Sequence, residues 1–190
     1  MNVKSLVAKL STALIVVLGV LGFAAPSWAY LQDDVDMLLE LKDCPVCILN
    51  EADLSGQDFA TVNLKVAELT GANLSNSNLQ RANLMLAELQ DSNLSDADLT
   101  EATMNGARLQ GATLKGADLT GVVLTQANID GANLQGATLE NADLTGAVIG
   151  NADWRGANLK GANLRGAIWS EAVICDTVLP DGTVGDRNCE

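Results

Sequence analysis

One five-residue phrase repeats without interruption from Cys47 to Cys175. Its cleanest copy is Ala132-Asn133-Leu134-Gln135-Gly136, and the phrase can be written A-(N/D)-L-x-G. A large apolar residue recurs at every fifth position from Leu49 to Ile174, which makes 26 copies; Leu fills 19 of these centres, and Ala stands two places before 20 of them. With the centre called i, a small residue sits at i−2 and variable residues sit at i−1, i+1 and i+2. A period of five fits neither the 3.6-residue helix nor the two-residue strand. In a helix, five-residue steps advance about 500° and would spread the leucines over every face.

Repetition at a fixed period points instead to a solenoid, in which each unit buries its apolar residues against its neighbours. The i and i−2 side chains are expected inside, one large and one small. Glycines at i+2, such as Gly131 and Gly136, suit a chain that turns sharply there. A disordered low-complexity tract would lack the regular large apolar residue.

Ala-Asn-Leu-Gln-Gly, Ala-Asp-Leu-Thr-Gly and Ala-Asn-Leu-Lys-Gly resemble the pentapeptide-repeat family. That resemblance implies an all-β solenoid, a right-handed quadrilateral β-helix with four pentapeptides per coil, hence about 6.5 coils and a rod of roughly 30 Å at strand spacing. An N-terminal α-helical cap completes the expected fold. The expected organisation is a signal peptide over residues 1–29, a capping helix and linker over 30–46, repeats over 47–176 and a C-terminal cap over 177–190.

The leader reading rests on Lys4 and Lys9, the apolar run Leu10–Ala25 and the small-x-small site Ser27-Trp28-Ala29. The run is short for a retained membrane anchor. Leu31–Lys42 is expected to be helical, with Leu31, Val35, Leu38, Leu39 and Lys42 on one stripe. Gln32, Asp33, Asp34 and Asp36 are expected near its positive N-terminal end. Such a helix would cover the apolar interior that a first coil exposes. A peripheral membrane helix is the rival, opposed by the acidic face.

On the implied rod, Cys44 and Cys47 lie at one end and Cys175 and Cys189 at the other. The two pairings that would join opposite ends exceed disulfide reach, leaving Cys44–Cys47 and Cys175–Cys189. Cys47 fills an i−2 slot and is expected to point inward. Local pairs in an exported chain fit an oxidising compartment. A thiol-redox role for Cys44-Pro45-Val46-Cys47 is the competing reading, but the pair follows a helix C-terminus and lacks a βαβ context. The chain contains no His, and two clustered thiols make a poor zinc site.

Residues 20 apart should stack on one side of the rod. Glu68 then stacks on Glu88, with Arg108 continuing the column, and Asp98 stacks on Asp118. Val66, Met85 and Leu86 form one outward apolar cluster; Val148 and Ile168, at i−1 where Asn or Asp is usual, form another. These five are the candidate protein-binding residues. Arg155, Lys160 and Arg165 form a basic belt on one late coil. Trp154 and Trp169, at centres, are expected in the core.

The chain carries 11 Lys and Arg against 24 Asp and Glu, a net charge of −13. That balance argues against a nucleic-acid partner. There is no nucleophile–base pair and no phosphate-cradling loop, so no enzyme, cofactor or metal site is expected. The leading function is a non-enzymatic structural or protein-binding scaffold with an unidentified protein partner. The alternative is an acidic nucleic-acid mimic that inhibits a DNA-binding enzyme, since some members of the resembled family mimic duplex DNA and inhibit topoisomerases. Cation binding by stacked carboxylates is a weaker third class. The leader, the Cys44-Pro-Val-Cys47 opening and the Pro180-Asp-Gly-Thr ending resemble lumenal pentapeptide-repeat proteins of cyanobacteria and chloroplasts. This implies an exported protein of the thylakoid lumen or periplasm, without a stable membrane anchor after cleavage.

Overall fold

The computed structural model describes residues 27–189. Most of the expected leader, residues 1–29, lies outside the described residues. From Asp43 onward the chain winds into a β-helix. Parallel β-bridges link each i−1 residue to the residue 20 positions later, from Asp43↔Asn63 through to Asn158↔Val178. One coil is therefore four pentapeptides, and the coil has four columns of i−1 residues, starting at Asp43, Ile48, Asp53 and Asp58. The pairing persists as single bridges rather than long strands, because a turn interrupts every five residues.

The backbone accounting explains the repeat phrase. In the repeat centred on Leu74, the Leu74 and Asn76 N–H groups donate to Asn93 and Ser95 of the next coil at 2.7 and 2.9 Å. The Asn73 N–H donates back to Ala52 at 2.9 Å, and the Ala72 N–H closes a local turn onto Leu69 at 3.0 Å. Only the i+1 N–H lacks a backbone acceptor. The i−1 side chain supplies one: Ser75 N–H donates to Asn73 Oδ1 at 3.2 Å. Asn73 Nδ2 also donates to Asp53 Oδ1 one coil below, at 3.0 Å. Asn or Asp at i−1 thus satisfies the donor that the coil leaves over.

The i and i−2 side chains fill a continuous apolar core from Cys47 to Ile174. Gln57 departs from the expectation: although at i−2, it is exposed and donates to Ser55 O. An uncapped amide is costly in an apolar interior, so the side chain turns out. Trp154, as expected at a centre, is buried in the core. Trp169, expected in the core, is only half-buried; the Arg187 guanidinium lies 5.1 Å from its ring centroid and donates to its carbonyl at 2.6 Å.

The helix α1 spans Ser27–Leu41, starting earlier than the expected Leu31. Its acidic residues therefore sit past the first turn, which contains none. Leu38 is fully buried in the core and Val35 packs beside it, whereas Leu39, expected on the same stripe, is exposed. Residues 38 and 39 are about 100° apart on a helix, so only one can face the coil. Asp34 ties α1 to the first coil by accepting from the Ile48 N–H at 2.7 Å. No helix among the described residues is long and apolar enough to cross a membrane.

At the other end the coil runs into β1 (Ile174–Val178), which pairs antiparallel with β2 (Val184–Arg187). Pro180-Asp181-Gly182 makes the turn, with Asp181 accepting from the Thr183 N–H at 2.9 Å. Asn188 Nδ2 donates to Ala172 O at 3.0 Å, so the tail is fastened to the last coil.

Candidate functional site

The four i−1 columns are not equivalent. Asn or Asp occupies five of seven positions in the columns from Asp43, Asp53 and Asp58, but only Asn128 in the column from Ile48 to Ile168. That column therefore forgoes the brace that the other three columns mostly keep. Arg108 Nη1 bonds Glu88 Oε1 at 3.1 Å, relieving the stacked acids, and Asn50 Nδ2 donates to Glu68 Oε2 at 3.0 Å. The Asp98–Asp118 stack lies on a different side of the rod, with Gln80 donating to Asp98.

The corner that precedes this column is apolar in its first coils. Val46, Val66 and Leu86 stack there at i+2, with φ of 64°, 60° and 58°, the left-handed backbone that non-glycine residues such as Glu51, Thr61 and Arg81 also hold at i+2 on the other corners. Left-handed backbone costs an L-residue roughly 1–2 kcal/mol, and a β-branched valine resists it most. Later turns of the same corner use Gly106, Gln126, Gly146 and Gly166. A Cβ on Gly106 would lie 2.8 Å from Leu86 Cδ2, so the leucine leans over the glycine above it.

The structure brings the expected apolar residues onto one side. Val148 and Ile168 are bridged neighbours, and Val66 donates through its N–H to Met85 O at 2.9 Å. Leu86 is 51 % exposed and Ile168 59 %, while Met85 is half-buried. The single-residue reading missed Val46 and Ile48, which are also exposed. Reading the sequence in columns of 20 exposes both. Among the described residues, every large exposed apolar side chain of the coils lies on this column or its preceding corner.

The basic belt is not uniform. Arg155 is held by Asp153, with Nε donating at 2.9 Å, and this pair lowers the Asp153 pKa to about 2, overcoming the opposing effect of burial. The Ser55 hydroxyl likewise holds Asp53 below its ordinary value. Arg155, Lys160 and Arg165 lie on three different sides, as expected for i+1 residues of successive repeats.

Cys44 and Cys47 are disulfide-bonded with Cα atoms 5.5 Å apart, and Cys175 and Cys189 with Cα atoms 5.4 Å apart. Cys44 and Cys47 are buried against Leu38 and the first coil. Thiol–disulfide exchange needs access to a sulfur, and neither is presented to solvent. The side chains of Cys175, Asp186 and Cys189 converge, but both sulfurs are spent in the bridge.

A coil of four pentapeptides with stacked Leu and Ala defines the class. A family model for pentapeptide repeats matches residues 47–84, 67–106, 107–146 and 138–172, and the chain belongs to the pentapeptide repeat family. Among solved structures it resembles HetL of the cyanobacterium Nostoc, a pentapeptide repeat protein involved in heterocyst differentiation regulation. The two are 29% identical, covering 75% of this chain and 83% of HetL, with a TM-score of 0.47. A pentapeptide repeat protein from the Arabidopsis thaliana thylakoid lumen is also 29% identical, over 67% of this chain and 72% of its own, with a TM-score of 0.46. QnrB1, a plasmid-mediated fluoroquinolone resistance protein, is 22% identical over 72% of this chain and 76% of its own, with a TM-score of 0.50, and shares the fold. No curated protein matches the chain significantly.

Proposed function

We propose that this protein is a non-enzymatic docking rod: a right-handed coil closed by α1 at one end and by the β1–β2 hairpin at the other. The observation that carries the reading is the confinement of exposed apolar side chains to one side, at the cost of the i−1 brace. Val66, Met85, Leu86, Val148 and Ile168 are the proposed contact residues, joined by Val46 and Ile48.

The leader and the two disulfides support an exported compartment, thylakoid lumen or periplasm, where such bridges persist. A nucleic-acid mimic is less well supported. The net charge of −13 favours it, but the apolar side, with Arg108 at its centre, interrupts the acidic surface.

The test is affinity capture from a lumenal and a periplasmic extract, beside a Leu86→Asp, Ile168→Asp double variant. A stoichiometric protein retained by the wild type and lost by the variant is expected. A captured protein indifferent to both changes would sink the docking reading.

A further inference from the structure

We propose that the apolar side is the interface for a second, antiparallel copy of this chain. This rests on reading that side as a docking surface, and it names the occupant. The column reads Ile48, Glu68, Glu88, Arg108, Asn128, Val148, one residue per coil. When two copies face each other head to tail, with the twofold axis level with the gap between Glu88 and Arg108, the column is its own complement. Ile48 meets Val148 of the second copy, Glu68 meets its Asn128, and Glu88 meets its Arg108.

The intrachain Glu88–Arg108 pair, 3.1 Å long, becomes half of a closed ring of four alternating charges. Ile168 stands one coil beyond, level with the end where α1 of the second copy lies. A two-fold axis requires this kind of self-complementarity, because each contact must occur twice.

An in-plane axis perpendicular to the rods keeps each corner opposite its own copy. Leu86 then faces Gly106 of the second copy, Val66 its Gln126 and Val46 its Gly146. Leu86 already leans over Gly106 of its own chain, which carries it toward the axis and its symmetry mate. The alternatives fail on charge. A one-coil shift sets either Arg108 or Glu88 against itself, and a parallel arrangement opposes Glu68, Glu88 and Arg108 each to its own copy. Like charges placed across an interface disfavour the wrong register.

Five coils separate Ile48 from Val148, about 24 Å at strand spacing, so cysteines at these positions cannot bridge within one chain. An Ile48→Cys, Val148→Cys variant of the full chain, oxidised after purification, is expected to give a covalent dimer. Neither single variant should cross-link. Sedimentation velocity should show a wild-type dimer that Arg108→Glu shifts at least tenfold toward monomer, and that the Glu88→Arg, Arg108→Glu double exchange restores.

A monomeric wild type at tens of micromolar would overturn the proposal, as would cross-linking through Ile48→Cys alone, which signals a parallel pair. Failure of the double exchange to restore the dimer would also overturn it. A monomer whose Leu86→Asp, Ile168→Asp variant still loses a captured protein would leave the docking rod standing and remove only the second copy.

Discussion

At the residue scale, two substitutions separate what the fold requires from what the surface adds. Val66 holds φ at 60° while exposed on the proposed docking corner. Val66→Gly relieves the left-handed penalty and is expected to stabilise the monomer by about 1 kcal/mol, raising the melting temperature by a few degrees. A lower melting temperature would show that the valine packs more than it strains. Asp153 tests the braces. Its carboxylate accepts from Arg155 and Gln135, and its pKa falls to about 2 from an ordinary 3.8. A depressed folded value means stabilisation that is complete above about pH 5 and fades as pH falls through about 2. Asp153→Asn keeps the turn acceptor but loses the charge. With Arg155 more than half exposed, the expected loss is about 1 kcal/mol at pH 7, closing toward zero by pH 2 in parallel acid melts. The role of Asn and Asp at i−1 could not be read from the repeat alone. The periodicity locates them, but only the coil's hydrogen bonds reveal that the i+1 N–H is the donor left over.

At the element scale, the two ends should behave differently from the middle. Leu38 of α1 is buried in the core, so Leu38→Ala is expected to cost about 2–5 kcal/mol. In a repeat protein that loss stays local, raising amide exchange in the first two coils and leaving the coils around Leu134 unchanged. Uniformly faster exchange would contradict a terminal role for α1. The Cys175–Cys189 bridge closes a loop of about 15 residues; a Cys175→Ser, Cys189→Ser variant should lose up to about 3 kcal/mol, seen as early melting of the β1–β2 hairpin. The helix was legible from its apolar spacing, and it ends at Leu41 with Lys42 in left-handed backbone, but its start and buried face were not legible. A stripe that includes both Leu38 and Leu39 is too broad for one helix face, and the coil selects Leu38. Trp169 was misjudged for a related reason. The five-residue phase places it at a centre, but the last coil has no coil above it, so the ring is half open and Arg187 covers it.

At the scale of the whole molecule, 26 copies at one period made a solenoid legible, while four pentapeptides per coil followed from the resemblance to the pentapeptide-repeat family. The proposed docking side was legible only in part. Val66, Met85, Leu86, Val148 and Ile168 stand out as departures from the phrase, yet their meeting on one side depends on the 20-residue coil, and Val46 and Ile48 emerge only when the columns are aligned. The central claim is that one side of the rod is covered and the other three face solvent. Carbene footprinting of the purified wild-type chain over a hundredfold concentration range tests it directly. The account predicts that labelling of Val66, Leu86, Val148 and Ile168 falls as concentration rises, while the columns from Asp43, Asp53 and Asp58 remain unchanged. Labelling that stays constant, or falls equally on all four sides, would contradict it.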